Sequence, residues 1–217
     1  MKGCLIAISG SDGVGKATQT KKLVDLAKKN GYSIETMSFP RYETETGKKI
    51  KGYLDGKLGK PEDLSPYSIA RLYAEDRKAA KDEISMKLMH TNLILDRYVT
   101  DNLAYQGARR LGEERLNLIR WIQELEYGII GLPRPDLILF LYLPLSFSKK
   151  AVEERGREKD IHETNDNYLK AVGETFLIMD EFEENFNVIT CSNGEGRLSV
   201  EDVTKELWEK IEKVLVR

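Results

Sequence analysis

Apolar residues in this chain come in short unbroken runs, at 3–9, 33–39, 92–95, 136–143 and 187–192, separated by charged stretches. Asn92-Leu93-Ile94-Leu95 and Asp136-Leu137-Ile138-Leu139-Phe140-Leu141-Tyr142-Leu143 show almost no alternation. A strand with one wet face alternates, whereas a run apolar at every position predicts a strand covered on both faces, as in a parallel sheet. Between the runs the spacing changes to three and four. Val200, Val203, Leu207, Ile211 and Val214 mark one face of a helix predicted over 200–216, with Glu and Lys on the other. Residues 66–89 predict another, with Tyr73, Arg77, Ala80, Ile84 and Leu88 on a shared face. Strands alternating with helices predict an α/β fold, a doubly wound five-stranded parallel sheet flanked by helices. In such folds ligands gather beyond the carboxyl ends of the strands.

Two of those strand ends carry chemistry. After Cys4-Leu5-Ile6-Ala7-Ile8 comes Gly10-Ser11-Asp12-Gly13-Val14-Gly15-Lys16, and a helical pattern follows at once. Glycines at this spacing let successive backbone N–H groups turn inward around a phosphate, with the positive end of the helix behind them. Ser11, Asp12, Gly13, Val14, Gly15, Lys16, Ala17 and Thr18 are therefore the expected nucleotide phosphate site, and Lys16 adds a point charge. The position after the lysine in such loops usually supplies a hydroxyl to Mg²⁺; here it is Ala17. Thr18 is rotated by about 100° from that position. The metal must then rely on phosphate oxygens, water and a carboxylate elsewhere. Asp96, in Asp96-Arg97-Tyr98 at the end of the third run, is placed to act through water. Arg41 and Tyr42 in Phe39-Pro40-Arg41-Tyr42 leave the second run on the same side. Arg77 is a charge inside an apolar stripe, one turn from Tyr73. It is either a paired or snorkelling arginine, or a forked donor beside a ring on which a flat base stacks.

Composition narrows the class. The chain has 217 residues, enough for a full core, and one domain over 1–217 is the expectation. Lys+Arg 34 against Asp+Glu 36 leaves a net charge of −2, which argues against a general nucleic-acid or membrane-surface binder. No apolar run reaches about 18 residues, and no signal segment is expected before the first strand. Cys4 and Cys191 are too few for a disulfide framework, and a reducing, cytoplasmic setting fits. His90 and His162 lack metal-ligand spacing.

In order and spacing, Gly10–Gln19, Phe39-Pro40-Arg41-Tyr42, Leu72-Tyr73-Ala74-Glu75-Asp76-Arg77, Asp96-Arg97-Tyr98, Ala104-Tyr105-Gln106-Gly107 and Gly131-Leu132-Pro133-Arg134-Pro135-Asp136 resemble the thymidylate kinases, a branch of the nucleoside monophosphate kinases. The resemblance runs from residue 3 to about 180. It implies a phosphate-loop kinase fold, transfer of a phosphoryl group from ATP to dTMP with Mg²⁺, and a homodimer. By the same likeness Asp12 approaches the sugar 3′-hydroxyl, and Tyr73 stacks on thymine where the family usually has phenylalanine. Arg77 and Asn102 read the base. Arg41 and Arg97 hold the acceptor phosphate with Phe39 and Tyr42 beside it, and Tyr105 crowds the sugar against a ribose 2′-hydroxyl.

A mobile lid is expected around 153–164, where Arg155 and Arg157 flank Gly156 and supply cations over the phosphates. Relatives with an arginine inside the phosphate loop tend to lack lid arginines; this chain has Gly13 in the loop and arginines in the lid. Ile161-His162-Glu163 stands where an arginine-aromatic-glutamate run is typical. Glu163 matches and joins the expected acceptor site. Asp101 replaces a usual serine, and a carboxylate near an acceptor phosphate must turn away or pair with an arginine. Two alternatives stay open: a kinase for another nucleoside monophosphate, and a non-catalytic ATP-binding switch. A guanine switch does not fit, because its usual Asn-Lys-x-Asp is missing; no Asn-Lys pair occurs in the chain.

Overall fold

The computed structural model describes residues 2–11, 13–148, 161–162 and 165–217. Among them, β1 (Leu5–Gly10), β2 (Ile34–Ser38), β3 (Asn92–Asp96), β4 (Leu137–Tyr142) and β5 (Phe186–Thr190) form one sheet in the order β2-β3-β1-β4-β5. Every pairing is parallel, with Ala7 opposite both Leu95 and Ile138. The chain therefore moves from β1 out to β2 and back to β3, then crosses to β4 and β5. Reversals of this kind open a crevice at the carboxyl ends of the central strands.

Both faces of the central strands are buried, as their unbroken apolar runs predict. Leu5, Ala7, Leu93, Leu95, Ile138 and Phe140 point to one core. There α3 (Pro66–Lys78), α4 (Lys81–Leu88), α5 (Val99–Gly107), α6 (Gly112–Gln123) and α7 (Asp166–Phe176) cover them through Ala70, Ile84, Leu103, Leu118 and Val172. Ile6, Ile8, Ile94, Leu139 and Leu141 point the other way. They meet Leu23 of α1 (Lys16–Lys29) and Val203, Leu207 and Ile211 of α8 (Val200–Ile211). Helix α2 (Glu45–Leu54) follows β2. The outer strands differ from the central ones: Glu35 on β2 and Val188 on β5 are exposed.

The predicted helix over 66–89 is two helices. Ala80 N–H donates to the Arg77 carbonyl at 3.0 Å, closing a tight turn between α3 and α4. The apolar spacing runs through this turn, and with no glycine or proline to mark it the periodicity misses it. The last predicted helix also ends early, at Ile211. The tail turns back so that Val216 N–H donates to Asn92 Oδ1 at 3.0 Å while Asn92 Nδ2 donates to the Val216 carbonyl at 2.7 Å.

Candidate active site

The phosphate loop bridges β1 and α1. Gly15 caps α1 at φ 102°, a left-handed conformation open to glycine but costly to other residues. At Gly10 a Cβ would come within 2.8 Å of the Leu141 carbonyl oxygen, so the close approach of β1 and β4 requires glycine. Lys16 folds back over the loop, donating to the carbonyls of Gly10 at 2.7 Å and Ser11 at 3.0 Å. Arg197, between β5 and α8, holds the loop from outside: its Nη2 donates to the carbonyls of Gly13 at 3.0 Å and Val14 at 3.4 Å. The Val14 side chain belongs to the core, not to the site. Ser11 Oγ is buried with no partner among the described residues. Asp12 lies outside the described residues.

A cleft of about 340 Å³ opens at these strand ends. Gly13, Gly15, Lys16 and Ala17 share it with Phe39, Tyr42, Tyr73, Arg77, Asp96, Arg97, Asn102 and Tyr105. Thr18 is exposed and outside the lining. Residues from the phosphate loop, α1, β2, α3, β3 and α5 thus meet in one cavity at the strand ends.

Arg97 sits at φ 68°, unusual for a residue with a side chain, and strained backbone of this kind persists where the surroundings over-determine it. Those surroundings are visible. Its N–H donates to the Ile8 carbonyl at 2.9 Å, and its Nη1 donates to Asp101 Oδ1 at 3.0 Å and to the Tyr105 hydroxyl at 3.4 Å. The guanidinium carbon lies 5.5 Å from the centre of the Tyr105 ring. Asp101 therefore pairs with an arginine, as a carboxylate in that place must. It also accepts from Ser9 Oγ at 2.7 Å and the Tyr98 N–H at 3.2 Å. Burial pushes the Tyr98 hydroxyl far above the usual tyrosine range, and it donates to the Pro133 carbonyl at 3.0 Å. It stays protonated and is no base.

Arg41 departs from its expected place. It is not part of the cleft lining, because Asp76 on α3 captures it. Asp76 Oδ2 accepts the Arg41 N–H at 2.8 Å and Oδ1 accepts from Nε at 3.3 Å, while Nη2 donates to the Asp76 carbonyl at 2.8 Å. Glu83 adds a contact at 3.9 Å from Nη1. Asp76 is itself only 1% exposed, so a cation beside it is strongly favoured.

Arg77 does both things open to it: it is paired and it lines the cleft. Its Nε and Nη2 donate to Glu126 Oε2 and Oε1 at 2.5 and 2.7 Å. Burial on its own would pull the Arg77 pKa down, but the Glu126 charge and hydrogen bonds more than reverse this, and it is raised. Asn102 shares the same carboxylate, its Nδ2 donating to Glu126 Oε1 at 2.8 Å and to the Ala70 carbonyl at 3.0 Å.

Sequence reasoning missed Glu126, although a signal exists. Ile119, Ile122 and Glu126 follow helical spacing, so Glu126 is a charge in an apolar stripe, as Arg77 is. His162, which lacks metal-ligand spacing in the sequence, lines the cleft, its ring 5.4 Å from that of Tyr53 and 4.9 Å from that of Tyr168. Gln106 lines it too. Arg197 carried no signal, since its partners lie 183 and 184 positions away. Arg155, Arg157 and Glu163, and nearly all of the lid expected at 153–164, lie outside the described residues.

The residues present suit a lightly held Mg²⁺. Among the described residues no three His, Cys, Asp or Glu side chains converge on a metal site, and Ala17 brings no hydroxyl. Asp96 lines the cleft beside the phosphate loop. One carboxylate plus phosphates and water is a usual environment for Mg²⁺.

A model of the thymidylate kinase family matches residues 8–207. The chain belongs to the thymidylate kinase family. The thymidylate kinase of Mycobacterium tuberculosis (strain H37Rv) is 36% identical over 169 residues, covering 76% of this chain and 77% of that one. A probable thymidylate kinase of Archaeoglobus fulgidus is 29% identical over 213 residues, covering 97% and 96%. A solved thymidylate kinase from Candida albicans superposes with a TM-score of 0.74 at 27% identity, over 98% of this chain and 92% of that one. Like these thymidylate kinases, the chain is a phosphotransferase on a phosphate-loop fold.

Proposed function

We propose the following division of labour for the reaction of the thymidylate kinase family, transfer of the terminal phosphoryl group of ATP to dTMP to give dTDP and ADP. The observation that carries it is one cleft in which Lys16 and the phosphate loop share walls with Tyr73, Arg77, Arg97 and Asn102. Two anionic nucleotides then meet with their phosphates toward each other.

The loop N–H groups and Lys16 take the donor phosphates once Lys16 leaves the Gly10 and Ser11 carbonyls. Ser11, Gly13, Gly15, Ala17 and Thr18 contribute backbone to that cradle. Arg97, braced by Asp101 and Tyr105, faces the acceptor phosphate, and Phe39 and Tyr42 flank it. Tyr73 stacks on thymine, Arg77 and Asn102 read its edge, and Tyr105 excludes a 2′-hydroxyl. Asp12 approaches the 3′-hydroxyl, and Arg155, Arg157 and Glu163 close from the lid. In this arrangement Arg41 supports the acceptor side by fixing Asp76 and the end of β2.

The transition state spreads charge over equatorial oxygens with donor and acceptor in line, so positioning and charge complementarity supply the catalysis. The acceptor is already an anion and needs no general base. Asp96 would hold Mg²⁺ through water together with the phosphates, and the bound ion would supply charge neutralisation there. The lid keeps water out, which would otherwise turn transfer into hydrolysis. We place the reaction in the cytoplasm, in a homodimer built from single-domain chains of residues 1–217. Among the described residues no helix is long and apolar enough to cross a membrane.

A coupled assay with ATP, Mg²⁺ and separate monophosphates tests the reading. ADP release that depends on dTMP is the expected result. Stronger response to UMP or dGMP would reassign the acceptor, and ATP binding without acceptor-dependent ADP release would make the chain a switch.

A further inference from the structure

Glu126 is 0% exposed and lies in a π-helical turn, Glu124–Ile129, that continues α6. Such turns are rare and recur at functional sites, where one wide turn redirects a side chain. The carboxylate sits behind the cleft wall and touches two residues of that wall. Arg77 spends Nε and Nη2 on it and lines the cleft as well. Asn102 spends Nδ2 on it and on the Ala70 carbonyl. Both of those neighbours are hydrogen-bond acceptors, so chemistry alone decides which end of the Asn102 amide is which. The nitrogen must face Glu126 and the oxygen must face away. Asn102 Oδ1 is indeed buried with no partner among the described residues, on a side chain only 4% exposed.

A buried acceptor without a donor costs stability unless a ligand supplies one. Arg77, which holds the same carboxylate as Asn102 and lines the same cleft, is a donor. An acceptor next to a donor matches a base edge that presents N–H next to a carbonyl, as the N3–H and O4 of thymine do. Cytosine presents the reverse, a bare N3 next to an amino group, and meets like against like at both positions. Nothing in this pair senses the thymine methyl, which uracil lacks.

We propose that Glu126 is a positioning residue that sets the polarity of base recognition, turning Asn102 and Arg77 so that the cleft accepts an N–H/carbonyl edge and refuses an N/amino edge. The inference rests on the functional reading above and deepens it. Glu126 touches no substrate; it acts through the two residues that do.

The test is the Glu126→Gln variant, assayed with ATP and Mg²⁺ against dTMP, dUMP and dCMP in turn. The substituted amide offers one acceptor and one donor in place of two acceptors, so the Ala70 carbonyl is the one remaining obligate acceptor that holds the Asn102 nitrogen inward. The expected result is a rise of roughly tenfold or more in KM for dTMP, and a kcat/KM ratio of dCMP to dTMP that climbs by a similar factor. The ratio of dUMP to dTMP and the KM for ATP stay within about twofold of the parent. General loosening of the fold would lower all three acceptors together and leave the ratios alone. Glu126→Asp, which keeps the charge, should restore most of the preference for dTMP over dCMP. A dCMP to dTMP ratio within about twofold of the parent in Glu126→Gln overturns the inference.

If loss of the buried charge prevents folding, the unaltered protein answers with N3-methyl-dTMP, which has no N3–H. Rejection of it beside efficient use of dTMP supports the proposal; equal use of both overturns it. Absence of any dTMP-dependent ADP release from the unaltered protein would overturn the functional reading, and this inference with it. An active parent with an unchanged Glu126→Gln ratio removes this inference alone.

Discussion

The two ends of the cleft are built in opposite ways. The phosphate end is almost local: a strand, a five-residue loop and a helix supply Gly10, Gly13, Gly15 and Lys16, and Arg197 joins them from far along the chain. The base end is assembled from distance: Tyr73 and Arg77 on α3, Asn102 on α5 and Glu126 after α6. Its energetics differ as well. Backbone N–H groups in a preset loop bind any phosphate, whatever nucleoside is attached, so in the proposed function the first end supplies rate. The second end is a buried ionic network in which each partner constrains the next, and in the proposed function it supplies selectivity. Changes at one end should therefore alter turnover while sparing acceptor choice, and changes at the other should do the reverse.

The sharpest test of that division is Lys16→Ala. Removing one preorganised charge at the transferring phosphate should lower kcat by about 10²–10³-fold, with relative preference among dTMP, dUMP and dCMP unchanged. A large shift in preference would break the division.

Next in size is Arg77→Ala. It leaves the Glu126 carboxylate buried without its cation, so urea denaturation should show a loss of about 3–5 kcal/mol. In the fraction that folds, KM for dTMP should rise steeply while the KM for ATP holds. Unchanged affinity for dTMP would remove Arg77 from the base site.

Tyr105→Ala should act at the sugar, narrowing the preference for dTMP over its ribonucleotide counterpart by a few fold. Arg97 also loses its ring contact and a hydroxyl acceptor there, so a modest fall in kcat accompanies the change. No narrowing would return Tyr105 to a packing role against Phe176, whose ring centre is 6.3 Å away.

The smallest effect is expected from Arg197→Met, which keeps the stem but gives up the hydrogen bonds to the Gly13 and Val14 carbonyls. KM for ATP should rise by a few fold with acceptor constants untouched, as measured by varying each substrate in turn. An acceptor effect of equal size would mean that the two ends are coupled through the loop.

The strands are legible in the sequence to within about two residues, and so is the strand-loop-helix setting of the phosphate loop, because both depend on contiguous residues. A parallel strand buried on two faces needs an unbroken apolar run, and a phosphate cradle needs glycines at set spacing before a helix; neither requirement refers to the rest of the molecule. Tertiary structure decided the remainder. It split the helix at Ala79 and Ala80, exposed parts of β2 and β5 because they are sheet edges, and turned Arg41 onto Asp76. It also joined Arg77 to Glu126 across 49 positions. Each isolated charge in an apolar stripe announced that a partner must exist. Which residue answers depends on long-range packing, since the ionic gain appears only once both charges have been carried out of water into the same place.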